Sequence, residues 1–422
     1  MPTELVDIIL GLMRDDWRAL AACYLVEPMV WAPLALAHLS ASQDLTIVVD
    51  TNPDNADVND FHRIFLPGLP ISQAVRVLTV RGANTAVADL LPIPDALDLG
   101  HLSGLTSLRL ECFVVDSLQT FTHIIARCHA LRELSIACVR FKETAAIAAP
   151  KPGLQRHPMP PHLQKLRISE PQEMRSVSFV DPLFFSLLHT GPPSPIHSLM
   201  LHRGFGSASR YGLSPPPENW FPRLRGTLTH LSISVRMIRV HPEHLHRTTS
   251  YPRFPNAIIE LPRLIDLTIR YQPQDVSSYL NALRRFLLPN RLLDSARVLQ
   301  RLRLALPYSR PTGDFEGIMA EFARVPHTLS KDAYPALSDV RIDILWNPGE
   351  QQGSRSAKSS LAGEVNINAF VHSLKSAVRP KSNGDAVVGV DAVPAEEWES
   401  YHCSLSAWNE MGTEGQARYR VR

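Results

Sequence analysis

The sequence predicts an α/β fold: an irregular solenoid of parallel strands and helices, preceded by a small three-helix unit. Three observations predict it. A six-residue pattern, L-x-x-L-x-[LI] with Val or Ile substituting, recurs nine times, its copies starting 26 to 38 residues apart. Segments of helical period lie between the copies. Ahead of the first copy, residues 1–39 carry apolar stripes interrupted at "DD" (15–16) and at Pro28.

The hexamers are "VRVLTV" (75–80), "LTSLRL" (105–110), "LRELSI" (131–136), "LQKLRI" (163–168), "IHSLML" (196–201), "LTHLSI" (228–233), "LIDLTI" (264–269), "LQRLRL" (299–304) and "LSDVRI" (337–342). Their fourth and sixth positions alternate as a strand with one buried face requires, and the first Leu packs at the strand entry. In "DSLQTFTHIIARCHA" (116–130), Leu118, Phe121, Ile125 and Cys128 fall on one helical stripe, with Asp116 or Ser117 as N-cap. "SSYLNALRRFLLPN" (277–290) and "GDFEGIMAEFARV" (313–325) have the same period. Neither strand nor helix buries its face alone, so the repeats must stack.

At the N-terminus, Pro2 suits a first helical turn, Thr3 is a candidate cap, and Glu4 and Asp7 complement the positive helix end. Leu5, Ile8, Ile9, Leu12 and Met13 form a stripe that Val6 and Leu10 widen. "WRALAACYLV" (17–26) gives a second helix with Leu20, Cys23 and Tyr24 inward, and "WAPLALAHL" (31–39) a third. Three short helices have little core of their own, and so wide an apolar face predicts a partner.

Composition bounds the function. The 422 residues exceed one typical hydrophobic core, and an apolar fraction of 45% suits a packed interior. A net charge of +2 gives no reason to expect a nucleic-acid partner. The 35 prolines fall mostly between apolar runs, as punctuation. Cys23, Cys112, Cys128, Cys138 and Cys403 make an odd set without a CxxC pair. Most sit in apolar segments and fit buried thiols in a reducing compartment, the cytoplasm or nucleus, with Cys112, Cys128 and Cys138 reading as small apolar groups of the repeat core. "VWAPLALAHL" (30–39) is too short to span a bilayer and the start lacks a signal-peptide pattern, so no membrane association is expected.

The middle of the chain resembles the leucine-rich-repeat family, with longer and less uniform units. Its Pro-rich insertions are "HTGPPSPIH" (189–197), "GLSPPPENWFP" (212–222) and "HPEHLHRTTSYPRFP" (241–255). The start resembles the F-box, L-P-x-E-L-x-x-x-I-L-x-x-L: Pro2, Glu4, Leu5, Ile9 and Leu10 are in register, with Met1 and Met13 at two Leu positions. Trp17 stands where a proline is common, and "EPMVW" (27–31) departs from the usual basic residue and tryptophan. F-box helices ahead of degenerate repeats are similar to fungal F-box proteins. The resemblance implies a helical F-box-like module (1–42), a leucine-rich-repeat solenoid (43–346), and a linker with a C-terminal tail or cap (347–422). It also implies docking on a Skp-type adaptor of a cullin–RING ubiquitin ligase through Met1, Pro2, Glu4, Leu5, Ile8, Ile9, Leu12 and Leu20. The repeats would then hold an unidentified protein substrate. The alternative is a scaffold outside any ligase, whose first helices only cap the solenoid.

The candidate recognition surface is the outward face of the strands, at the third and fifth hexamer positions and just beyond. It comprises Arg81, Arg109, Glu111, Glu133, Lys165, Arg167, Met200, His202, His230, Asp266, Thr268, Arg270, Arg301, Arg303, Asp339, Arg341 and Asp343. Mixed charge of this kind suits a protein partner better than a nucleic-acid groove. No catalytic constellation is present, so a non-enzyme without a cofactor is expected. "RGFGSASRYG" (203–212) lacks phosphate-loop and dinucleotide spacing and reads as a loop. His241, Glu243, His244 and His246 lack a second ligand cluster, so no metal site is expected. Beyond residue 346 the hexamer stops. "NPGEQQGSRSAKSS" (347–360) reads as a polar, disordered linker, with helices expected at 365–378 and a packed piece at 394–411.

Overall fold

Every hexamer buries its first, fourth and sixth residues: Leu105, Leu108 and Leu110, or Leu299, Leu302 and Leu304, are withdrawn from solvent like their counterparts in the other copies. The computed structural model describes residues 2–14, 16–26, 29–41, 45–49, 65, 68–82, 91–92, 99–116, 118–141, 160–169, 195–202, 224–236, 261–272, 296–307, 315–332, 334–346, 357–380, 385 and 387–394. It divides into two compact units, Met1–Thr229 and His230–Arg422.

In the first unit, helices α1 (Thr3–Leu12), α2 (Trp17–Val26) and α3 (Trp31–Ala41) precede the strands. Then come β1 (Leu45–Val49), α4 (Pro70–Ala74), β2 (Val77–Gly82), β3 (Leu91–Pro92), β4 (Ser107–Val115), α5 (Leu118–Ala126), β5 (Glu133–Phe141), β6 (Lys165–Ser169) and β7 (Ser198–His202). The strands are parallel, and β1, β2, β4, β5, β6 and β7 lie side by side in chain order, with β3 beside the far end of β4. The second unit holds β8 (His230–Arg236), β9 (Asp266–Gln272), β10 (Arg301–Pro307), α6 (Phe315–Phe322), α7 (Val325–Thr328), β11 (Asp339–Trp346), α8 (Ala357–Ala377) and β12 (Val388–Pro394). Its strands are likewise parallel and sequential.

The register follows the hexamer. Fourth positions stand opposite one another along Leu78, Leu108, Leu134, Leu166 and Leu199, and again along Leu231, Leu267, Leu302 and Val340. The second position, exposed in most copies, joins the repeats. The Arg76 carbonyl accepts the N–H groups of Thr106 and Ser107, that of Arg132 those of Gln164 and Lys165, and that of Gln300 those of Ser338 and Asp339. Thr106, Thr229 and Ser338 add a hydroxyl bond to the same carbonyl of the preceding repeat. A further apolar position precedes several hexamers. Leu102, Cys128, Pro160, Leu261 and Tyr334 are buried, and each carbonyl accepts the N–H of the hexamer's first Leu to close a tight turn.

Three expectations are corrected. The N-cap of α1 is Pro2, not Thr3: the Pro2 carbonyl receives the N–H groups of Leu5 and Val6 while Thr3 is already helical. The strand pattern does not stop at residue 346, because β12 pairs with β11 over Val340–Trp346. Register puts Val388 and Val390 at the fourth and sixth positions and a buried Asp385 at the first, so no leading apolar residue marks this copy. The interval 347–360 is not wholly linker: α8 begins at Ala357 and turns Ile367, Phe370, Val371 and Leu374 inward, a spacing of one helical face. Within the range expected for the solenoid, β1 adds one strand ahead of the first hexamer. The segments 203–212, 241–255 and 277–290 lie outside the described residues, as does 394–411 apart from Pro394.

Candidate functional site

Two surfaces bear the residues the sequence singles out. The first is α1. Val6 and Leu10 are fully buried, whereas Leu5 is 50%, Ile8 59%, Ile9 36% and Leu12 83% exposed. Residues at i, i+3, i+4 and i+7 share one helical face, so the exposed four make one apolar stripe. Pro2 and Glu4 are exposed beside it, and Met1 lies outside the described residues. Leu20 is fully buried and packs inside the unit, so it offers no surface for a partner. Leu25 and Val26 at the end of α2, and Met29 after it, are exposed as well.

The opposite side of these helices is well tied down. Both α1 and α2 pack on α3, and His38 Nε2 lies 2.9 Å from Asp7 Oδ1 across α1 and α3. Asp16 Oδ1 accepts the N–H groups of Arg18 and Ala19, which starts α2. Helix α3 meets α4, and the Trp17 and Phe65 rings stand 5.8 Å apart. Helix α1 therefore seals its own unit with one face and leaves the other open.

The second surface is the outward row of the strands, and it is less open than the sequence suggests. Arg167, Met200, Asp266, Thr268 and Asp343 are buried. Its charges are largely matched within the row. Arg81 Nε donates to Glu111 Oε2 at 2.7 Å, Lys165 Nζ lies 2.6 Å from Glu133 Oε1, and Arg301 Nε donates to Asp266 Oδ2 at 2.9 Å. Each is a pair directly opposite in register. Arg303 and Arg341 also stand opposite each other, an arrangement that repels. Arg303 therefore reaches forward to Asp343 and Arg341 back to Asp339, at 3.2 Å for the latter.

All five acidic residues of the row are thus in ion pairs. Arg109, Arg167 and Arg270 are the basic residues beyond those pairs, and Arg109 and Arg167 flank Ser135 in register. Burial pushes the Asp266 carboxyl above its ordinary value, partly opposed by Arg301. Burial and then Lys165 hold His197 below the usual imidazole range. His230 is half-buried at the start of β8, and His202 ends β7.

Cys112 and Cys138 are corrected: only Cys128 is a buried thiol of the repeat core, and the other two are half-buried. Both have left-handed backbones, with φ of 62° and 56°, uncommon for residues other than glycine. Each left-handed residue shifts the alternation by one. Leu110 and then Phe113 face inward in β4, and Ile136 and then Val139 in β5, with the ladder staying in register beyond the kink. Gly82 on β2 makes room for it, since a Cβ there would lie 2.2 Å from the Cys112 carbonyl oxygen. Among the described residues no group of three or more His, Cys, Asp or Glu could hold a metal ion, and no helix is long and apolar enough to cross a membrane.

The chain matches no protein-family model and no curated protein. Among solved structures it is similar to an internalin (inlF) from Listeria monocytogenes, at 15% identity and a TM-score of 0.25. The match covers 74% of this chain and 63% of that one. A likeness so remote has no bearing on function.

Sequence reading missed the closing of the row by its own ion pairs, although the alternation of acid and base on neighbouring hexamers (Glu133 and Lys165, Asp266 and Arg301) was a visible signal. It also missed the thiol pair, whose signal was two cysteines at the same offset from consecutive hexamers.

Proposed function

We propose that the chain is a substrate-recognition subunit of a cullin–RING (SCF-type) ubiquitin ligase. On this reading α1 docks on a Skp-type adaptor and the repeats bind a protein substrate. The observation that carries it is the division of α1 into a buried pair, Val6 and Leu10, and an open stripe, Leu5, Ile8, Ile9 and Leu12. A helix that served its own fold alone would have no need of apolar residues on the second face, and contiguous exposed apolar surface marks interaction sites. The F-box-like register of Pro2, Glu4, Leu5, Ile9 and Leu10 supplies the kind of partner.

The chain then contributes no chemistry of its own. It raises the effective concentration of substrate near the ubiquitin-charged enzyme. The strand row suits a hydrogen-bonding protein surface of mixed character, because all five of its acidic residues are already in ion pairs within the row and a basic ligand would have to displace those partners. The experiment is co-purification of the full chain with the Skp-type adaptor of its host, followed by titration of the pair. Stoichiometric binding supports the reading, and a folded chain with no affinity at micromolar adaptor removes it.

A second reading rests on a separate observation. Helix α3 meets α4, and the Trp17 and Phe65 rings meet at a tilt of 41°, as a solenoid cap would. In that case the protein is an interaction scaffold outside the ligase, and removing the α1 stripe changes no adaptor binding.

A further inference from the structure

We propose that Cys112 and Cys138 form a reversible dithiol–disulfide site that reacts with small disulfides of the glutathione class. The two residues are the unmatched positions between Glu111↔Ala137 and Phe113↔Val139 on the adjacent parallel strands β4 and β5, so they stand opposite each other. Neighbouring strands lie about 4.8 Å apart, inside the Cα separation of roughly 4.4–6.8 Å that a disulfide bridges. They occupy the same step of adjacent parallel strands and share the same left-handed backbone, so their side chains leave the sheet on the same side. Both are half-buried, which leaves an approach for a small reagent.

Two left-handed non-glycine residues facing each other form a strained pair, and such strain gathers at working sites. The remaining described thiols differ. Cys128 is buried and donates to the Ile124 carbonyl at 3.6 Å, and burial pushes the Cys23 thiol up. The Cys138 hydrogen bond brings the Cys112 thiol down to about 7, against burial and the Glu111 charge, with Arg81 assisting. Cys112 is accordingly the attacking thiol.

The exchange balances in two steps. The Cys112 thiolate attacks one sulfur of a disulfide RSSR, forming a mixed disulfide and releasing RS⁻. The Cys138 thiol then loses its proton and attacks the Cys112 sulfur, releasing the second RS⁻. Two protein thiols are oxidised by two electrons, and RSSR is reduced to two thiols. A bridge across strained positions is reducible, so excess thiol reverses it.

The test treats the full chain with oxidised glutathione, alkylates the remaining thiols and maps the peptides. The expected result is loss of alkylation at Cys112 and Cys138 together, with one peptide pair joining them, restored by dithiothreitol. Cys138→Ser, with its fold checked by circular dichroism, is expected to trap glutathione on Cys112. The proposal is overturned if both cysteines of the wild-type chain stay alkylatable, or if glutathione remains on Cys112 without transfer to Cys138.

Discussion

Helix α1 and the outward row of the strands treat their surfaces in opposite ways. On α1 the residues needed for the fold, Val6 and Leu10, are separate from the exposed stripe of Leu5, Ile8, Ile9 and Leu12. On the strands the outward residues serve the fold as well. Arg303 with Asp343 and Arg301 with Asp266 neutralise each other between neighbouring repeats. The contrast teaches that density of charged residues is a poor guide to where a repeat protein meets its partner. Charges in register match one another, whereas apolar side chains on an open helical face have nothing of their own to cover them.

The largest effect is expected at the buried ion pairs of the strand row. Arg303→Ala strips an ion-pair partner from Asp343, whose side chain is 2% exposed, and is expected to cost about 4 kcal/mol in urea unfolding. Leu108→Ala, at a fully buried fourth position, is expected to cost about 3 kcal/mol by the same assay. Gly82→Ala comes next, at about 2 kcal/mol, because its Cβ meets the Cys112 carbonyl. Removal of Glu133 from its pair with Lys165, both about a quarter exposed, should cost less than about 1 kcal/mol, read by a double-mutant cycle.

The weakest effect is expected from the titration of Asp266. Burial raises the Asp266 carboxyl, so the folded state holds its proton to higher pH than the unfolded state does. That contribution to stability is complete below the ordinary carboxylate value of about 4 and is lost as pH rises through the raised value. Asp266→Asn is expected to flatten this part of the stability profile, which urea midpoints across that range would display.

The repeat was legible because a strand with one buried face must alternate, and all nine hexamers bury the three positions the pattern names. Strand β12 was not, since a buried Asp385, 3.5 Å from His327 Nδ1, stands where the leading Leu belongs. The kink at Cys112 and Cys138 was hidden for another reason: left-handed backbone is usually marked by glycine, and cysteine gives no such mark. On α1 the apolar positions were plain. Which side would be buried was not, because apolar residues extend around most of the helix and only packing on α3 chooses Val6 and Leu10.

Docking through α1 is tested by the adaptor affinity of a Leu5→Ser/Ile8→Ser/Leu12→Ser chain, beside its urea midpoint. These side chains are at least half exposed, so stability should fall by no more than about 1.5 kcal/mol in total. The expected result is loss of binding to the Skp-type adaptor while the fold persists. Unchanged binding, or collapse of the fold with these three substitutions, would contradict it.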